Sequence, residues 1–422
     1  MANKGNRVAS ETADIIVIGG GLIGMATAYE LSRRGAGRIV VVEKGPGVAM
    51  GSTGASSACL RLRYTHAETM TMALYGQNTY RDWAAYTGLE SPRASMDSIG
   101  VLWMLGEDRA TVEAERDCLI GIGARAQTLD RQALADRFPA LSTCTTPVDF
   151  ENGTDHDCGE SDNFLFEEDG GYCTDPAGAN QDLLEACGRD GVDVRLNTQV
   201  TDIRMERGRA LGVTLGDGHT IDAPQIVNAA GPWCNRLNDN IGLGHTWNLV
   251  PTRAQVMLRA TVEPLPGDLP MVADAAGGVY FRPDNNGQQI LVGSTRSEDE
   301  TEIIDDPDSY KTAADEDAKQ RLLHGLHHRI PSLQHRGQVT GVAGIYTINQ
   351  QDVHPVLGKT HIEGYYVSNG YSGHGFKLGP AVGNLLAQII TGTVVEGDVD
   401  VDHSFLSIDR KPLTVREKTV LA

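Results

Sequence analysis

The chain has 422 residues, 40% of them hydrophobic, which is enough for two or three domain-sized units and excludes a miniprotein held by disulfides or a metal. Its 36 basic and 56 acidic residues give a net charge of −20, so nucleic acid and anionic membrane surfaces would repel it. No apolar run approaches the roughly 18 residues that span a bilayer, and residues 1–14 lack the apolar stretch of a signal peptide.

Seven cysteines, at 59, 118, 144, 158, 173, 187 and 234, are scattered without a C-x-x-C pair. Neither a zinc site nor a disulfide framework is expected, and reduced thiols suit a cytoplasmic protein. Lysine is scarce, with eight against 28 arginines, and such an acidic, lysine-poor surface suits high salt.

In chain order, residues 14–18 (D-I-I-V-I) form an apolar run that stops at Gly19 and reads as a buried parallel strand. Residues 22–34 carry helix formers, and residues 38–43 (R-I-V-V-V-E) form a second buried strand. Together they make a β-α-β unit with a right-handed crossover. Residues 151–169 are an acidic loop, read as solvated because its carboxylates lack ligand spacing. A helix over 176–187 precedes a small β-meander that ends at Asn228-Ala229-Ala230-Gly231. Residues 250–260 and 278–292 read as strands of a second, antiparallel sheet, and residues 315–328 as an amphipathic helix. A buried strand at 365–368 and a closing helix at 379–390 follow, and the tail after Asp398 reads as a loosely packed extension.

Gly19-Gly20-Gly21-Leu22-Ile23-Gly24 matches G-x-G-x-x-G between a strand and a helix, and Glu43 ends the next strand 19 residues after Gly24. That context specifies a dinucleotide site. Gly19 permits the tight turn, Gly21 lets the backbone approach a pyrophosphate, and Gly24 lets the helix pack close to the strand. The helix N-terminus offers N–H groups to phosphates. Glu43 accepts from ribose hydroxyls. NAD and FAD both fit this loop.

Three further motifs carry a resemblance. They are Gly51-Ser52-Thr53-Gly54-Ala55-Ser56-Ser57, Asp175-Pro176 leading to N-A-A-G-P-W at 228–233, and Gly370-Tyr371-Ser372-Gly373-His374-Gly375-Phe376-Lys377. Together they resemble the FAD-dependent D-amino-acid oxidase superfamily, nearest its sarcosine oxidase and dehydrogenase branch, over residues 14–392. The resemblance implies an α/β fold. A Rossmann-type FAD-binding domain (1–90, 170–235 and 340–400) would join a mixed or antiparallel β-sheet substrate domain (91–169 and 236–339), with an extension at 401–422.

The resemblance also implies roles. Ser52, Thr53 and Ser56 would lie along the flavin, with Ser52 and Ser56 donating to it. Val200 would hold the adenine through its backbone. Ala230 and Gly231 would leave room for the cofactor. Gly373, His374, Gly375 and Lys377 would wrap the flavin ring, where N–H groups near a helix start at Gly379 stabilise negative charge. Lys377 and Arg61 would bind a substrate carboxylate, with Arg63 as the alternative if the register slips by two. Tyr64, Tyr280 and Tyr346 match aromatic positions of the pocket, and His374, Tyr346 or His354 would assist catalysis. His354 also suits a structural turn.

Two departures matter. Gly344 stands where sarcosine oxidase has its flavin-linking cysteine, so noncovalent FAD is expected. Residues 291–295 (L-V-G-S-T) lack that enzyme's oxygen-activating lysine, which favours a dehydrogenase with an electron-acceptor partner, or a subunit of a larger complex. The expected reaction is oxidation of an amino acid or N-alkyl amino acid by hydride transfer to flavin N5, followed by imine hydrolysis. A D-amino-acid or hydroxyproline-type dehydrogenase is the alternative. The expected partners are a small-molecule amine and a homo-oligomer, with no metal.

Overall fold

The computed structural model describes residues 11–150, 152, 158–159, 161–243, 247–416 and 418–421. The apolar run Ile15–Ile18 is a fully buried strand, as is Ile39–Val42. They pair in parallel at the centre of a six-stranded sheet in the order Asp193–Arg195, Ile39–Val42, Ile15–Ile18, Gln225–Asn228, Tyr365–Asn369, Val356–Lys359. Only the last pairing is antiparallel. Near-continuous Val and Ile suit these strands because both sheet faces are covered. The meander is a separate four-stranded sheet of Glu11–Thr12, Thr220–Asp222, Arg209–Leu215 and Val200–Glu206.

The second domain is built on an eight-stranded, mostly antiparallel sheet. Its long edge strand Val339–Asn349 pairs with Leu249–Ala260 over eleven residue positions. The strand Val339–Asn349, which the expected border at 340 assigns mostly to the FAD-binding domain, pairs in this sheet. A three-stranded patch of Cys59–Leu60, Gly171–Cys173 and Met96–Asp97 lies alongside. Among the described residues no helix is long and apolar enough to cross a membrane. Cys59, Cys118, Cys173, Cys187 and Cys234 are free thiols.

Three expectations need correction. The acidic loop is solvated only in part. Phe164–Glu167 is a buried strand, and the Glu167 carboxylate accepts hydrogen bonds from Leu62 N–H (2.8 Å), Arg63 N–H (2.9 Å) and Trp103 Nε1 (2.8 Å). Glu151, Asp155, Asp157 and Glu160 lie outside the described residues. Pattern could not reveal Glu167, because its partners lie about a hundred residues away.

The closing helix begins at Gly375, ahead of the expected Gly379. Pro380 lies inside it and lacks the N–H that would bond the carbonyl of Phe376. Tyr80 Oη donates to that carbonyl instead, at 2.9 Å, so the helix runs through the proline. The tail is also packed. Val399, Val401, Leu406, Ile408 and Leu421 are buried, Trp247 Nε1 donates to Ile408 O (2.7 Å), and Arg410 pairs with buried Asp352 at 2.9 Å.

The helix Ala67–Arg81 crosses the closing helix with no side chain between them at Gly76. A Cβ there would overlap the carbonyl oxygen of Lys377. Gly188, inside the helix Pro176–Arg189, has nothing within 4 Å of its Cβ position. Gly76→Ala is expected to destabilise the protein by about 1–3 kcal/mol, whereas Gly188→Ala is expected to be neutral or to stabilise by up to about 1 kcal/mol. Denaturant midpoints of the two variants check this, and equal shifts would refute the contact.

Candidate active site

The nucleotide loop sits at the carboxyl end of the parallel strands. Gly19 adopts φ 114°, and its N–H bonds Val42 O at 3.0 Å. A Cβ at Gly24 would overlap Gly19 O, so the first helix, Leu22–Arg33, starts directly against the turn. Thr53 Oγ1 accepts from Leu22 N–H (3.0 Å), and Asn180 Nδ2 donates to Gly20 O (2.8 Å). Sequence reasoning missed Asn180, which reaches the loop from the helix opened by Asp175-Pro176. The Glu43 carboxylate accepts from Gly20 N–H and Gly45 N–H, both at 2.7 Å. Each oxygen keeps a second lone pair, and Glu43 lines the adjoining cavity.

That cavity of about 890 Å³ is continuous from the nucleotide loop to the second sheet. Of the expected cofactor contacts, Gly19, Gly21, Glu43, Ser52, Thr53, Ser56, Val200, Ala230, Gly231, Gly344, Gly373 and Gly375 line it, and His374 and Lys377 do not. Gly24 does not, in keeping with its packing role. Two hydroxyls are used within the chain. Ser52 Oγ donates to Ile345 O, so its expected donation to the cofactor is taken up by the strand, and Ser56 Oγ accepts from Ala58 N–H at 3.0 Å. A Cβ at Gly344 would approach the Ala55 Cβ to 2.7 Å, which disfavours any linking side chain there.

At the far end Tyr280 and Tyr346 line the cavity. Tyr280 has room because it faces Gly293 across the strands, where a Cβ would strike its ring. Tyr346 Oη donates to Glu300 Oε1 at 2.8 Å. Glu300 lines the cavity too, and sequence reasoning missed it. Burial raises its carboxyl to about 7, against the lowering effects of Tyr346 and the Val420 N–H.

The expected carboxylate-binding pair lies just behind this wall. Arg61 is buried, with its guanidinium over the Tyr64 ring at 4.2 Å, and it donates to Arg63 O and to Val420 O (2.7 Å). Val420, from the tail, lines the cavity and stands between Arg61 and the open space. Lys377 is buried, and burial first, then Arg61, pushes its ammonium down to about 7. His374 caps the closing helix, and its Nδ1 meets Tyr64 Oη at 3.2 Å. Burial, Lys377 and Arg61 hold it well below its ordinary value, and its Nε2 is buried without a partner.

Two candidates point elsewhere. Arg63 faces Glu115 at 3.4 Å, whereas Arg61 donates to the cavity-lining Val420. His354 is a structural residue, its ring nitrogens meeting Asp352 O (2.8 Å) and Thr69 Oγ1 (3.1 Å).

Residues 14–389 match the DAO family of FAD dependent oxidoreductases. The FAD-dependent oxidoreductase domain-containing protein 1 of Xenopus laevis is 25% identical over 418 residues, covering 90% of this chain and 79% of that protein. Glycine oxidase of Geobacillus kaustophilus (strain HTA426) is 28% identical over 391 residues, covering 89% and 92%. A crystal structure of glycine oxidase from Geobacillus kaustophilus shares the fold, with a TM-score of 0.77 and 21% identity over 95% of this chain and all of that one. Mouse mitochondrial sarcosine dehydrogenase is 26% identical over 426 residues, covering 97% of this chain but 43% of that protein.

Two outcomes follow from this geometry. Glu43→Ala is expected to weaken FAD binding by about 1.5–3 kcal/mol, roughly ten- to a hundredfold, as read from FAD titration of the apoprotein. Unchanged affinity would remove Glu43 from the site. Acid precipitation is expected to release FAD into the supernatant, and flavin kept in the pellet would turn attention to Cys59.

Proposed function

The chain belongs to the FAD dependent oxidoreductase family, and we propose that it oxidises an amino acid or an N-alkyl amino acid whose carboxylate is held by Arg61 and Lys377. The carrying observation is a single cavity that joins the nucleotide loop to a wall backed by two buried cationic side chains.

The residues present fit FAD. The open start of the helix Leu22–Arg33 faces the cavity for the pyrophosphate. Glu43 has lone pairs left for a ribose, and the small residues at 229–231 and 51–57 leave space along the route. Bound there, FAD supplies two-electron oxidising power, so the substrate leaves as an imine that water hydrolyses.

The protein's own part is orientation and charge. Arg61 presents a planar fork to a carboxylate. A carboxylate brought against Lys377 favours its ammonium form and reverses the effect of burial. His374, kept neutral, adds no further charge. Tyr280 and Tyr346 fill the wall opposite the cofactor loop and limit water. The strand Gln289–Ser294 and Thr295 place no lysine in the cavity, which supports a dehydrogenase that hands electrons to a carrier.

The purified protein is expected to be yellow and to bleach anaerobically with a member of an amino-acid and N-methyl amino-acid panel. A colourless protein would contradict the reading. Lys377→Met is expected to keep FAD and lower kcat/KM by roughly 30-fold or more for a carboxylate substrate, with a much smaller loss for a matched amine lacking the carboxylate. Equal losses would assign Lys377 to the flavin instead.

A further inference from the structure

The tail residue Val420 bridges two groups of opposite charge. Its carbonyl accepts from Arg61 Nη2 at 2.7 Å, and its backbone N–H lies near enough to the Glu300 carboxyl to act on it. Its side chain lies over Gly373, where a Cβ would come within 3.1 Å of Val420 Cγ2. One residue thus offers a donor nitrogen and an acceptor carbonyl on either side of one Cα. A free α-amino acid presents its amine and carboxylate across one Cα in the same way.

Glu300 is poorly compensated where it stands. It ends the short helical turn Ser297–Glu300 at the cavity, and the groups that act on its carboxyl are Tyr346, the Val420 amide and Asp299, with no cation among them. Asp299 is itself engaged by Arg321 at 3.0 Å. A crowded carboxylate held by neutral donors alone is costly, and a cationic ligand group would offset that cost. Arg61 has the complementary shortage among the described residues, since its guanidinium donates to carbonyl oxygens while the Glu167 carboxylate that acts on it gives its oxygens to Leu62, Arg63 and Trp103.

We propose that Arg61 and Glu300 are the two ends of an amino-acid cradle, that Glu300 binds the substrate's amino group and accepts its proton, and that Val420 occupies the cradle until substrate displaces it. The proposal rests on the reading that an amino acid is oxidised here. In the proton step an N–H bond of the ammonium breaks and an O–H bond forms on Glu300. The electron pair stays on nitrogen, leaving the neutral amine that oxidation of the C–N bond requires. The hydroxyl of Tyr346 steadies the second carboxylate oxygen throughout. A secondary amine retains a proton for this contact, so N-alkyl amino acids fit the cradle as well.

The test uses holoprotein with its flavin reduced by dithionite, so that binding is measured without turnover. Calorimetry compares sarcosine, glycine and proline with methoxyacetate, glycolate and tetrahydro-2-furoate, in which oxygen replaces the amine. Glu300→Gln should weaken the best-binding amino acid by about tenfold to a hundredfold and its oxygen analogue by less than about threefold. Deleting residues 418–422 should tighten both, because the competing Val420 is gone. Equal weakening of both ligands, no weakening of either, or binding by none of the three amino acids would overturn the proposal. If the flavin of wild-type protein is bleached by no amino acid, yet an amino acid binds in a Glu300-dependent way, the oxidation reading falls and the cradle stands. Bleaching undiminished by Glu300→Gln would do the reverse.

Discussion

Burying a guanidinium costs free energy that a paired carboxylate would offset, yet among the described residues Arg61 hydrogen-bonds the carbonyls of Arg63 and Val420 and lies over the Tyr64 ring, with no carboxylate in hydrogen-bond contact. The fold maintains this state. Glu167, buried near Arg61, spends its oxygens on Leu62 N–H, Arg63 N–H and Trp103 Nε1, which fixes the backbone that carries Arg61. Lys377 and His374 stand close by, and burial pushes both toward neutrality. The result is a region of basic groups whose one neighbouring carboxylate, Glu167, already has its oxygens engaged. On the other side of Val420, Glu300 is short of cations among the described residues. Two such deficits flanking one residue suit a dipolar ligand, which is the electrostatic core of the proposed activity.

The same contacts that bury these groups also set their geometry. Lys377 lies in the first turn of the helix Gly375–Thr391, whose carbonyl at 377 presses against Gly76. The hydroxyl of Tyr80 completes the backbone bonding that Pro380 interrupts. Because the helix starts before the proline, the Gly373 turn and the lysine are held by one rigid element, and the turn opens onto the cavity shared with the nucleotide loop. A site held by packed helices loses less to disorder than one hung on a loop.

The nucleotide half of the site was legible in the sequence because its signals are local. Strand, glycine turn, helix and acidic strand end fall within residues 14–43, and Gly19 and Gly24 have a steric reason for their places. The later motifs gave the flavin side through resemblance, and most residues they named line the cavity, with His374 and Lys377 outside its lining. Three features were not legible. Glu167 and Glu300 look like two acids in a chain of many, and their meaning comes from partners far along the chain. The helix start at Gly375 was hidden by Pro380, which ordinarily marks a first turn. The tail offered no periodicity, so its docking on Arg61 could be seen only in three dimensions.

The central claim is that the space beside Arg61 belongs to a substrate carboxylate. A crystal structure of the FAD-bound protein grown with methoxyacetate tests it most directly. The account predicts the carboxylate on the Arg61 guanidinium, in the place of the Val420 carbonyl, with the tail displaced. A structure in which Val420 keeps its bond to Arg61 while the carboxylate binds elsewhere would contradict it.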